Sequence, residues 1–171
     1  MLHVLQAALV GVFPALVIVA ALRDATSYTI PNRISLALVA AFAVAAPVMG
    51  LTLPAIGQHL GVGALGLVLG MVMFALGWIG GGDAKLFAAA ALWLGWPAAG
   101  TYGVMTGMAG GALALGLLTL RSGYLRPYVV TGPPWFSRLA EPGENVPYGV
   151  AIAVGALLAF PESPFMAAFR F

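Results

Sequence analysis

The chain has 171 residues, 62% of them hydrophobic and only 7% charged, with a mean hydropathy of +1.04. That composition excludes a water-soluble domain and predicts a single polytopic membrane domain over 1–171 with little outside the bilayer. The net charge of +2 rests on seven basic residues and makes no patch for nucleic acid, and the absence of cysteine excludes disulfides, thiolate metal sites and cysteine nucleophiles.

A hydrocarbon core about 30 Å thick is crossed by about 20 helical residues. Apolar runs fall at 2–22, 34–53, 60–79, 84–98, 100–120 and 146–160. They predict an all-α integral membrane protein, a bundle of about six transmembrane helices joined by short loops. The first run carries no Lys or Arg at its start, so it reads as a span rather than a cleaved signal segment. It ends at Arg23-Asp24, followed by Ala25-Thr26-Ser27-Tyr28-Thr29-Ile30-Pro31-Asn32. Pro31 and Asn32 there close an extended stretch and start the second helix.

In the third run Gly66 and Gly70 repeat at four-residue spacing, and Gly103, Gly107 and Gly111 do so in the fifth. Small faces of this kind predict close helix contacts in lipid, where burial of apolar surface no longer drives association. Between the third and fourth runs stands Trp78-Ile79-Gly80-Gly81-Gly82-Asp83-Ala84-Lys85-Leu86, and a tight Gly95-Trp96-Pro97 turn separates the fourth from the fifth. The stretch 121–145 is the one sizeable loop. Pro127, Pro133, Pro134 and Pro142 argue against a continuous helix there, and Trp135, Phe136 and Leu139 beside Arg138 predict a piece at the interface.

Chain alternation places 23–33, 80–85 and 121–145 on one side of the membrane. These segments hold Arg23, Arg33, Lys85, Arg121, Arg126 and Arg138, six of the seven basic residues; only Arg170 falls opposite. The positive-inside rule makes that side cytoplasmic and the N-terminus external. Asp24 and Asp83 then share the cytoplasmic face.

Those two acids carry the chemistry. His3 and His59 are far apart and belong to no H-E-x-x-H pattern, and no G-x-S-x-G elbow occurs, so zinc protease and serine hydrolase are disfavoured. Two carboxylates can divide general acid and general base work between them, because like charges held close share a proton. Each acid also has a plainer reading. Asp83 is placed to cap the fourth helix, Asp24 to pair with Arg23 or Arg33, and Lys85 to act as a positive-inside anchor. A small transporter using both acids as a proton or cation relay is the alternative function, although transporters usually set such groups near the bilayer midplane.

Three blocks decide between these readings. Asp24 with Ile30-Pro31-Asn32, Gly80-Gly81-Gly82-Asp83-Ala84-Lys85-Leu86 and Val146-Pro147-Tyr148-Gly149-Val150-Ala151 together resemble the type IV prepilin peptidases, membrane aspartyl proteases of the G-x-G-D class. The match is closest to the short form associated with Flp-type (tight-adherence) pili, and the blocks span 24–151. The resemblance implies cleavage of prepilin or pseudopilin leaders at the cytoplasmic face of a bacterial inner membrane. Asp24 and Asp83 would be the catalytic dyad, with neither metal nor cofactor. It further implies room for substrate backbone at Gly80 and Gly82, site-shaping roles for Pro31 and Asn32, and attraction of an acidic pilin residue by Lys85. Longer members of the family carry paired C-x-x-C motifs and also methylate the trimmed pilin; the lack of cysteine here implies peptidase activity alone. A G-x-G-D protease acting on other transmembrane helices is separated from this reading only by the three-block resemblance.

Overall fold

The computed structural model describes residues 2–122, 137, 139, 141 and 146–169, and among these all regular structure is helical. The helices are α1 (Leu2–Ser27), α2 (Asn32–Val48), α3 (Leu53–Ala75), α4 (Gly81–Leu94), α5 (Ala98–Leu120) and α6 (Tyr148–Ala159). A 3-10 turn (Phe160–Glu162) and a short α7 (Pro164–Phe169) follow. The interfacial piece expected around Trp135, Phe136 and Arg138, together with Arg126, the loop prolines and Arg170, lies outside the described residues.

Four segments are long and apolar enough to cross a membrane: His3–Ser27, Leu53–Ala75, Ala98–Leu120 and Tyr148–Ala167. Their outer faces carry large apolar side chains, among them Leu65, Met71 and Val72 on α3 and Val104, Met108 and Leu118 on α5. A helix apolar all round is at home in lipid rather than water. The six expected helices are present, but the two remaining ones are shorter than a full span. α2 has 17 residues and α4 only 14, so α4 at 1.5 Å per residue is about 21 Å long. That shortness is tolerated because α4 is the centre of the bundle, packed against α1, α2, α3, α5 and α6. Its alanines allow the crowding: Ala84, Ala89, Ala90 and Ala91 are all buried.

The glycine seams divide. Gly66 and Gly70 pack as expected, with Gly66 against Ala91 and Ala88 and Gly70 against the backbone of Ala84. Gly103, Gly107 and Gly111 do not, since no described atom lies within reach of a side chain placed there. α5 meets α6 through its neighbouring face instead, where Gly110 lies against Tyr148 and Ala151, and Gly155 against Thr106.

One end of the bundle is locked by rings. Phe13 lies 5.4 Å from Trp93 and 4.7 Å from Phe160 between centroids, and Phe165 lies 4.9 Å from Trp93. Trp93 donates its indole N–H to the Leu38 carbonyl at 2.8 Å. Buried His59 places Nδ1 2.7 Å from the Leu92 carbonyl, while its Nε2 has no hydrogen-bond partner among the described residues.

Candidate active site

The other end of the bundle holds the aspartates. α1 runs past its predicted apolar limit, so Asp24 lies inside the helix, about one turn before its end. Thr26 and Ser27 turn their hydroxyls back to the carbonyls of Leu22 and Arg23, both at 2.7 Å. Such back-bonding competes with continuation of the helix. Tyr28 then adopts a left-handed φ of 52° while its N–H still donates to the Asp24 carbonyl at 2.8 Å. The chain leaves the helix through Thr29 and Ile30, and extended Pro31 (φ −62°, ψ 135°) sets the direction in which α2 begins.

Asp83 arrives by a different route. α3 closes in a Schellman motif, with the Gly77 N–H on the Phe74 carbonyl and the Trp78 N–H on the Met73 carbonyl, both at 3.0 Å. Gly77 takes φ 72°, which a side chain would resist. After this turn Gly80 caps α4 and Asp83 stands in the helix's first turn, its Oδ2 accepting the Gly80 N–H at 2.9 Å. The capping role read from sequence is thus fulfilled by one carboxylate oxygen. The other, Oδ1, is buried and has no hydrogen-bond partner among the described residues.

Asp24 and Asp83 are 4% and 7% exposed, and both line two adjoining cavities of about 240 and 170 Å³ together with Tyr28 and Gly80. The third block completes the wall. The Gly149 N–H, at the start of α6, donates to Asp24 Oδ2 at 2.7 Å and lies within electrostatic reach of Asp83. Hydrogen bonds to a carboxylate are the stronger kind, so this one fixes the Asp24 side chain firmly. Trp78, Ile79 and Tyr148 close the smaller cavity.

Ile30 joins all three blocks. A side chain on Gly82 would lie 3.1 Å from Ile30 Cβ, and one on Gly149 would lie 2.7 Å from Ile30 Cδ1. Both glycines therefore make room for Ile30, while the space beside Gly80 is taken by the carboxylate of Asp83. Lys85 faces elsewhere. Its Nζ donates to Asn32 Oδ1 at 2.9 Å, tying α4 to α2, and both residues line a separate groove that lacks the aspartates. Tyr28, Ile30 and Gly149 were not singled out as site residues from sequence, although each lies inside or beside a recognised block. Among the described residues no group of three His, Asp or Glu gathers as a metal site would require.

The described residues thus form an all-helical bundle, four of whose helical segments are long and apolar enough to cross a membrane, with two buried acids sharing a pocket lined by glycine-rich turns. The chain belongs to the type IV leader peptidase family, whose profile matches residues 11–121, well over half its length and including both aspartate blocks. It is accordingly a peptidase. No curated protein and no solved structure gives a significant match.

Proposed function

We propose that the protein is an aspartic endopeptidase that removes leader peptides from Flp-type prepilins or pseudopilins, with Asp24 and Asp83 as its catalytic pair. One observation carries this reading. Two carboxylates distant in sequence are buried in a shared pocket, each fixed through one oxygen by a backbone N–H. Carboxylates held close share a proton, because both cannot easily ionise. The ionised member takes a proton from water as the water attacks the scissile carbonyl, and the protonated member hydrogen-bonds the carbonyl oxygen. Collapse of the tetrahedral intermediate then returns a proton to the departing amine. Asp83 Oδ1, which has no hydrogen-bond partner among the described residues, supplies an acceptor for that water.

The neighbouring residues shape this arrangement. Gly80 orients Asp83, Gly82 seats Ile30, and Pro31 and Asn32 set the start of α2, with Asn32 holding Lys85. The cut falls at the cytoplasmic face of a bacterial inner membrane. The charge distribution supports that side, since six of the seven basic residues fall in segments that alternate onto the aspartate face.

Co-expression with an Flp-type prepilin tests the proposal. Asp24→Asn and Asp83→Asn should each abolish processing while the protein stays inserted, and full cleavage by either sinks the dyad. A proton relay through the same acids predicts instead no processing by the wild-type protein.

A further inference from the structure

α2 and α3 flank α4 and leave between them a groove of about 630 Å³ that belongs to neither aspartate cavity. Its walls are apolar, with Leu36 and Val39 from α2, Leu60 and Leu67 from α3, and Leu92 from α4. It is not uniformly apolar, however. Exposed Arg33 and Lys85 both stand at one end, and Asn32 holds the Lys85 ammonium in place. α2 and α4 also begin at that end, so the positive ends of two helix dipoles reinforce the two cations. One turn further in, Ser35 lines the groove at 8% exposure, and its Oγ has no hydrogen-bond partner among the described residues.

From Lys85 to Leu92 the groove runs seven residues, or about 10 Å, which fits within one leaflet of about 15 Å. The order from rim to floor is therefore two cations, then a lone buried hydroxyl, then hydrocarbon. That is the polarity profile of a phospholipid, with phosphate outermost, ester oxygens beneath and acyl chain below. We propose that the groove is a binding site for an anionic phospholipid, its phosphate on Lys85 and Arg33, an ester oxygen on Ser35 and one acyl chain between α2 and α3. Basic clefts between membrane helices take anionic head groups in this way. The site stands independently of the peptidase mechanism. It gives Lys85 a role on the face of α4 turned away from Asp83.

Native mass spectrometry of the purified, delipidated protein offered equal phosphatidylglycerol and phosphatidylcholine tests the site. Each cation near a lipid surface contributes about 1 kcal/mol, so the wild-type preference for phosphatidylglycerol should approach thirty-fold, at tenfold per 1.4 kcal/mol. The double variant Arg33→Ala/Lys85→Ala should retain both lipids equally. Ala64→Phe should retain neither, because the exposed Ala64 lines the groove and a ring there fills the space of the chain without entering the core. Equal retention by the wild-type protein, an unchanged preference in the double variant or undiminished binding by Ala64→Phe each overturns the assignment. A photo-crosslinking residue at Leu36, 69% exposed on the groove wall, should capture lipid. Capture of a co-expressed prepilin segment instead would give the groove to the substrate.

Discussion

Replacing Gly149 with alanine separates a glycine that shapes the proposed active site from one that merely packs. The added methyl would sit 2.7 Å from Ile30 Cδ1 and 2.9 Å from both Cβ and Oδ2 of Asp24. Carbon and oxygen atoms do not tolerate such approaches, so something must shift. Ile30 Cδ1 is the end of a flexible side chain and can turn away. Asp24 Cβ is fixed to the backbone of α1, so α1 and α6 must part or the carboxylate must swing off its 2.7 Å bond to the Gly149 N–H. Overpacking of this kind costs about 1–3 kcal/mol of stability, and a hydrogen bond to a charged group contributes about 1.5–3 kcal/mol. Displacement of a reacting group by about 1 Å is enough to lower the rate by roughly a hundredfold. Gly149→Ala should therefore remain inserted, melt at a lower temperature, and cleave a prepilin in detergent about a hundred times more slowly in kcat/KM. The double variant Ile30→Val/Gly149→Ala divides the two effects. Removing Cδ1 relieves the Ile30 contact but not those with Asp24, so the melting temperature should recover in part while cleavage stays low. Retention of half the wild-type rate by Gly149→Ala would refute the claim that this glycine positions Asp24. Full rescue of activity by Ile30→Val would move the fault to Ile30.

Two further expectations follow from the packing and the charge distribution. Gly70→Ala sets a methyl 2.9 Å from the Ala84 carbonyl, so it should destabilise the protein by about 1–3 kcal/mol. Gly107→Ala, with nothing in reach, should stay within about 0.5 kcal/mol of wild type; thermal melts of the two variants check the contrast, and equal losses would refute it. A cysteine at exposed Thr26, beside Asp24, should be shielded in intact cells from an impermeant thiol reagent added outside, and labelling there would reverse the orientation.

Much of the site was legible because its parts are local. The turn residues around Pro31, the glycines before Asp83 and the proline before Tyr148 each mark a helix start, and charge counting groups the first two on one side of the membrane. What holds the blocks together was not legible. Gly82 and Gly149 lie far apart in the chain, and nothing in their spacing says that one isoleucine fills the space beside both. The glycine stripes had the same limit. Gly66-Gly70 and Gly103-Gly107-Gly111 carry the same small-residue signal, yet only the first meets a partner within the described chain. A helix face records its capacity for close contact, whereas the neighbour is chosen by the tertiary arrangement. The fourth apolar run was short already in the sequence, but nothing there said that α4 is packed against five other helices.

The aromatic cluster has a consequence for the aspartates it never touches. Phe13 precedes Asp24 by eleven residues and Trp93 follows Asp83 by ten, so each carboxylate stands near the tip of a helical rod about 15–17 Å from its ring anchor. A tilt of about 5° at the anchor swings either tip by about 1.4 Å over that length, more than the ~1 Å error that degrades catalysis. For the proposed catalytic pair, packing of Phe13 against Trp93 at the opposite end of the bundle would therefore matter to the spacing of the acids.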